Sequence, residues 1–108
     1  MNSWLNYHDK GGATYPHCHG MAVLSVTTYL NLPPGGGFIE FKDPHHNLQS
    51  LHRRSKPLSE WCEVPTSTGD VLLFPGWLMH RTQASHADER RWVLTVNYMA
   101  ANARVATP

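Results

Sequence analysis

The amino-acid sequence predicts an all-β protein built as a sandwich or a jelly-roll barrel. Eight prolines and eight glycines separate short runs rich in β-branched and aromatic residues, which is typical of strands joined by turns. No stretch keeps a 3.6-residue apolar period over three turns, so we expect few helices or none. Short strands at intervals of about 10 to 20 residues favour two sheets around one core.

Six segments have the composition of strands. The strong candidates are Ala22–Leu30, Phe38–Lys42, Val71–Phe74 and Arg91–Met99, and the weaker ones are Trp4–His8 and a short strand around Tyr15–His19. Proline and glycine clusters such as Pro33–Gly37 lie between them and indicate turns. The histidine-rich, basic segment Asp43–Thr68 shows little pattern, so we expect a long loop there, of the kind that often forms a lid.

Size, charge and cysteine content restrict the class of protein. A chain of 108 residues has the usual size of one domain, so we expect residues 1–108 to share one core. The formal net charge of +1 provides no basic field for nucleic acid, and no apolar run approaches the ~18 residues that span a bilayer. Two cysteines make no disulfide scaffold and the first residues carry no export signal, so we expect a cytoplasmic protein.

The candidate strand Arg91–Met99 has two different faces, because side chains alternate along a strand. One row consists of Arg91, Val93, Thr95 and Asn97, and the other of Trp92, Leu94, Val96 and Tyr98. We expect the apolar row to be buried and the row that begins at Arg91 to face a partly polar pocket. The neighbouring Arg90 falls on the opposite face.

Three of the eight histidines have the spacing of a metal site. His17 and His19 would point to the same side of an extended strand, roughly 6–7 Å apart, and can converge on one metal ion. His80 follows an apolar stretch, where a polar ring needs a partner. The sequence leaves two alternatives open: a solvated His-x-His pair, and a core histidine bonded to a backbone carbonyl.

Five motifs in this order resemble the core of the Fe(II)/2-oxoglutarate-dependent oxygenases. They are Tyr15–His19, Leu24–Leu30, Gly36–Pro44, Gly69–His80 and Glu89–Asn97. The resemblance covers nearly the whole chain and is closest to oxygenases of bacteria and phages whose first motif reads His-x-His. Prolyl-hydroxylase-like enzymes are more distant. The resemblance implies a double-stranded β-helix, a cupin-like jelly roll, that holds Fe(II).

The resemblance also assigns roles at the metal. By position, His17 and His80 are the two histidine ligands, and His19 stands where the family usually has an aspartate or glutamate. A neutral imidazole in place of an anion raises the net charge of the metal site by one unit. Three-histidine iron sites occur in other cupin-like dioxygenases.

A second set of residues matches positions that bind the cosubstrate. Arg91 matches the arginine that binds the distal carboxylate of 2-oxoglutarate through two parallel hydrogen bonds. Tyr29 matches a tyrosine that contacts the same carboxylate in prolyl-hydroxylase-like members, although it also suits a core aromatic. Asn6, on the opening strand, is a further candidate. Cys18 alternates away from the histidines and is expected to be packed.

The sequence therefore leaves three candidate functions. The resemblance implies a hydroxylase-type oxygenase that decarboxylates 2-oxoglutarate to succinate and oxidises a C–H bond of an unidentified small molecule or peptide. A cupin-like three-histidine metalloenzyme without 2-oxoglutarate would explain His19 but gives no role to Arg91. A β-sandwich binding module, with a structural metal or none, is the third.

The family core usually follows N-terminal helices that pack against one sheet, whereas this sequence starts almost at its first core strand. We therefore expect a minimal or truncated member, or a homo-oligomer in which another subunit covers an apolar face.

Overall fold

The computed structural model describes residues 1–43 and 60–100, and these contain seven strands and no helix. The strands are β1 (Asn2–His8), β2 (Ala22–Asn31), β3 (Ile39–Lys42), β4 (Trp61–Val64), β5 (Val71–Pro75), β6 (His80–Thr82) and β7 (Arg91–Met99). A helix long and apolar enough to cross a membrane is thus absent from the described residues. The all-β prediction is confirmed.

The strands form two antiparallel sheets. The large sheet has the order β1-β7-β2-β5, and the small sheet has the order β4-β3-β6. Successive strands such as β2 and β3 belong to different sheets, so the chain crosses between the sheets repeatedly. The rings of Phe41 on β3 and Phe74 on β5 meet across the interior, with their centroids 4.9 Å apart. The two sheets therefore enclose one interior, as the jelly-roll prediction requires.

The strong strand candidates agree with the structure to within one residue at each end, and two expectations need correction. The segment Tyr15–His19 is no strand, because it contributes only one isolated bridge, from His17 to His80. Pro16 has no N–H to donate, which limits the pairing at this point. Strand β4 lies within the expected loop Asp43–Thr68, whose residues 44–59 fall outside the described part of the chain.

On β7, the row that begins at Arg91 faces a partly polar pocket as expected, but the apolar row is not the buried one. The row that begins at Arg91 is the buried one, and its four residues are only 2–6% exposed. The apolar row lies on the outer face of the large sheet, where Trp92, Leu94 and Val96 are half-buried and Tyr98 is 43% exposed. The polar row faces inward because it lines a cavity between the sheets. The expectation that a partner subunit covers the apolar row stays a prediction.

A small apolar core closes the interior beside this cavity. Its buried members are Tyr29, Leu32 and Val93, and Phe38 and Leu72 pack against them. Tyr29 and Val93 also line the cavity, so the core directly supports its wall.

Candidate metal centre and adjoining pocket

His17, His19 and His80 converge on one point. Each offers a ring nitrogen, and these nitrogens all lie within 4.8 Å of one another. The Nε2 atoms of His19 and His80 are 3.1 Å apart. Two ligands that each lie about 2.1 Å from a metal are separated by no more than about 4.2 Å, so small ring movements bring all three nitrogens onto one ion. The three histidines therefore form a possible metal site.

The backbone positions His17 and His80. Each backbone N–H donates to the carbonyl oxygen of the other residue, at 2.9 Å in both directions. Nδ1 of His17 lies 2.7 Å from the carbonyl oxygen of Tyr15, and Nδ1 of His80 lies 3.0 Å from that of Leu78. A carbonyl can only accept, so each Nδ1 carries the proton and each Nε2 keeps a lone pair. A metal-binding histidine has the same arrangement, in which one ring nitrogen donates to a carbonyl and the other binds the ion.

His19 is held differently, through a side chain. Its backbone N–H donates to the carbonyl oxygen of Gly76 at 2.8 Å, which places it near the end of β5. Its Nδ1 lies 3.2 Å from Nδ2 of Asn97 on β7, and the Trp4 ring lies 5.7 Å from its own ring. Sequence reasoning missed Asn97 and Trp4, because Asn97 reaches His19 through the pairing of β7 with β2 and Trp4 reaches it through the pairing of β1 with β7.

Burial favours the neutral forms of His19 and His80. Desolvation lowers the pKa of His80 from 6.5 to about 4; the carbonyl of Leu78 opposes this shift, and His17 and His19 add to it. Burial, followed by the nearby His17, also lowers the pKa of His19. A metal ion binds the neutral imidazole, so these shifts keep ligands available over a wider range of pH.

A cavity of about 100 Å³ joins the histidines to the interior side of β7. All six residues that the sequence predicted for the site line it: Asn6, His17, His19, Tyr29, His80 and Arg91. The metal candidates and the cosubstrate candidates therefore share one space, although they come from distant parts of the chain.

Arg91 is a buried cation with an unused donor. It is 2% exposed, and its Nε has no hydrogen-bond partner among the described residues. The oxygen of Tyr29 lies near Arg91 and Thr66 but makes no well-aligned hydrogen bond with either. Burial lowers the pKa of Arg91 and raises that of Tyr29. Unsatisfied donors around a buried guanidinium are costly, so this end of the cavity fits a carboxylate.

His8 supports this arginine, a role that the sequence left undecided. The two residues face each other in the pairing of β1 with β7, and Nδ1 of His8 lies 3.4 Å from Nη1 of Arg91. The other ring nitrogen lies 3.0 Å from the hydroxyl of Thr14. Arg90 points away as expected and pairs with Asp9 at the surface. Cys18, which was expected to be packed, is exposed.

The comparison with protein families identifies the chain. Residues 2–97 match the model of a family described as "Putative 2OG-Fe(II) oxygenase". The chain belongs to this family. The match runs from β1 to β7 and includes the three histidines and Arg91. The 2OG-Fe(II) oxygenases use Fe(II) and 2-oxoglutarate, and the resemblance read from the five motifs is confirmed. No curated protein matches the sequence significantly.

Solved structures show the fold of this oxygenase family. HygX from Streptomyces hygroscopicus, with iron bound, is 16% identical, with a TM-score of 0.67 over 92% of this chain and 57% of HygX. A Pseudomonas putida prolyl-4-hydroxylase is 17% identical, with a TM-score of 0.63 over 90% of this chain and 51% of the hydroxylase. A cupin protein from Bacteroides fragilis is 18% identical, with a TM-score of 0.59 over 92% and 65% of the two chains.

These similarities confirm the double-stranded β-helix that the sequence resemblance implied. The chain spans little more than half the length of HygX and of the hydroxylase. Imidazole ligands suit Fe(II) as well as other divalent transition metals, so the donor set fits the iron of the family.

Proposed function

We propose that this chain carries the catalytic site of an Fe(II)- and 2-oxoglutarate-dependent dioxygenase that hydroxylates a C–H bond of a small molecule or peptide. The observation that carries the proposal is the shared cavity, which has three convergent imidazoles at one end and a buried arginine at the other. Iron bound by His17, His19 and His80 would supply the oxygen-activating chemistry, with 2-oxoglutarate decarboxylated to succinate.

The charge of the cavity supports a dicarboxylate between the two ends. Three neutral imidazoles leave both positive charges of Fe(II) uncompensated by protein ligands, and Arg91 adds a third positive charge. A dicarboxylate is the kind of ligand that places one negative charge at each end at once. Its distal carboxylate would accept hydrogen bonds from Arg91 and Tyr29, whose Nε and phenol groups lack partners among the described residues.

The chain's own residues hold and orient the reactants in this proposal. His8 supports the guanidinium of Arg91, and the closed apolar core around Tyr29 and Val93 keeps water from that end. His17 is less buried than His80, so a substrate would approach the metal from its side. A rigid, preorganised site of this kind lowers the entropic part of the activation barrier.

A cupin-like metalloenzyme that does not use 2-oxoglutarate is the second candidate, favoured by the absence of a carboxylate from the three-histidine set. It leaves the buried Arg91 without an anionic partner, and for this reason we place it second.

Anaerobic calorimetry tests the proposal directly. Fe(II)-loaded protein is titrated with 2-oxoglutarate, and we expect one molecule to bind per metal ion. Binding of Fe(II) without binding of 2-oxoglutarate would favour the cupin-like enzyme. Failure to bind Fe(II) would favour a binding module and end the oxygenase proposal. Release of succinate on adding oxygen then tests the reaction type.

A further inference from the structure

The three histidines differ in what holds their outer ring nitrogen. His17 and His80 use backbone carbonyls, whereas Nδ1 of His19 faces the amide of Asn97 at 3.2 Å. Oδ1 of Asn97 in turn accepts a hydrogen bond from the hydroxyl of Ser25 at 2.7 Å. Asn97 is 3% exposed and Ser25 is fully buried, so water cannot readily replace either partner. Buried polar groups of this kind keep their protein partners.

The direction of these bonds decides which nitrogen of His19 carries its proton. Because Oδ1 of Asn97 faces Ser25, its NH₂ group donates to Nδ1 of His19. Nδ1 is then the acceptor, and the proton of the neutral ring lies on Nε2. That nitrogen lies 3.1 Å from Nε2 of His80, which carries a lone pair. In this arrangement His19 donates to His80 and has no lone pair on Nε2 for a metal.

Rotation of the amide by a half-turn reverses the pattern. Oδ1 of Asn97 would then accept from Nδ1–H of His19, and the NH₂ group would donate to Ser25. The hydroxyl of Ser25 serves equally well in both arrangements, because it can donate or accept. His19 then releases its Nε2 proton and takes one at Nδ1, so its charge does not change. Its Nε2 gains the lone pair that a metal ligand needs.

We infer that Asn97 is a positioning residue that selects between these two states of His19, so that rotation of its amide accompanies metal binding. The inference rests on the proposed metal site. In the first state His19 donates to His80, and in the second it donates to Asn97, which leaves Nε2 of His19 available to the metal. An asparagine can support both states. An aspartate could only accept a hydrogen bond, so it would keep the proton of His19 on Nδ1 and the lone pair of Nε2 available to a metal.

Nitrogen NMR of the histidine rings tests the inference without relying on activity, because it distinguishes protonated from bare ring nitrogens. With Zn(II) as the probe, wild-type His19 should carry its proton on Nε2 before the metal is added and on Nδ1 afterwards. Asn97→Asp should show the Nδ1 proton even without metal. The same proton position in wild-type protein with and without Zn(II) would overturn the inference.

Metal affinity provides the second measurement. Asn97→Leu removes the acceptor and should weaken Zn(II) binding about 10- to 100-fold, the usual effect of losing an outer partner of a ligand. Asn97→Asp should bind at least as tightly as wild type. Asn31→Leu is the matched control, because that amide contacts only the carbonyl of Arg90 among the described groups. Wild-type affinity in Asn97→Leu would refute the inference alone, whereas a wild-type protein that binds no Zn(II) would refute the metal site as well.

Discussion

His17 and His80 exchange both of their backbone hydrogen bonds, although 62 residues separate them in the sequence. This single bridge fixes the backbones of two of the three candidate ligands relative to each other, and their rings lie 4.3 Å apart, centroid to centroid. It also connects the segment before β2 with β6 of the small sheet. The geometry of the site therefore depends on the fold itself, and the following predictions separate the fold from the chemistry.

His80→Ala should abolish stoichiometric Fe(II) or Co(II) binding, because two imidazoles without the buried third form a much weaker site. Anaerobic titration measures the effect. His86→Ala is the control, because His86 is exposed and belongs to no metal-ligand cluster among the described residues. Undiminished affinity in the His80 variant would remove this residue from the site.

Arg91→Ala should raise the 2-oxoglutarate dissociation constant at least tenfold and leave metal affinity nearly unchanged. Loss of a charge-assisted contact costs about 1.5–3 kcal/mol, which corresponds to roughly 10- to 150-fold in affinity. Calorimetry on the Fe(II) form measures both constants. Arg90→Ala should change neither, since Arg90 pairs with Asp9 at the surface. A larger loss in the Arg90 variant would contradict the proposed cosubstrate site.

Acid should destabilise the metal-free protein mainly between pH 6.5 and about 4. The pKa of His80 is lowered from 6.5 to about 4, so in this window the unfolded chain binds a proton that the folded chain lacks. The free energy of unfolding therefore falls as the pH falls, and the loss is complete below the folded pKa. Burial of His19 acts in the same direction. Urea unfolding across the window measures the slope, which His80→Gln should reduce; an equally steep slope would show that other groups dominate.

Gly76→Ala should destabilise the fold and weaken metal binding together. A Cβ at this position would lie 2.0 Å from the carbonyl oxygen of Ala22, and the backbone of Gly76 also holds His19. Relieving the overlap must shift this backbone, at a cost of about 1–3 kcal/mol. Gly69→Ala is the control, because a Cβ there meets no atom within 4 Å and strains only the backbone at φ +94°. Urea denaturation should show a loss of stability in Gly76→Ala, and Co(II) titration should show a loss of metal affinity in the same variant. Gly69→Ala should keep its metal affinity.

The sequence predicts β7 in full, the alternation of its side chains and the row that faces the pocket, but not that this polar row is the more deeply buried one. Apolar character alone selects the row of Trp92 and Leu94 as the interior. The structure places Arg91 and Asn97 inside, because the polar row lines a cavity that has its own hydrogen-bonding partners. A cavity between two sheets is not visible in the sequence of one strand, so periodicity could not predict this outcome.

The remaining differences have equally local causes. Strand β4 has only four residues and lies at the edge of the small sheet beside a basic segment, so its pattern is weak. The contact between His19 and Asn97 joins residues 78 positions apart. It requires the register that pairs Ser25 with Asn97, which a single sequence does not provide. The sequence does indicate that Asn97 points to the same face of β7 as Arg91, because the two positions lie an even number of residues apart on the strand.

The cavity that joins the histidines to Arg91 has a further consequence, because both of its ends belong to the hydrogen-bonded framework. His80 lies on β6 and Arg91 lies on β7, so the span between them is set by the packing of the two sheets. Such a span limits the length of a ligand that can contact both ends. In the proposed reaction, a 2-oxo diacid whose length matches this span would satisfy both ends at once, and shorter or longer homologues would bind more weakly. The packing of the two sheets would then select the cosubstrate by its length.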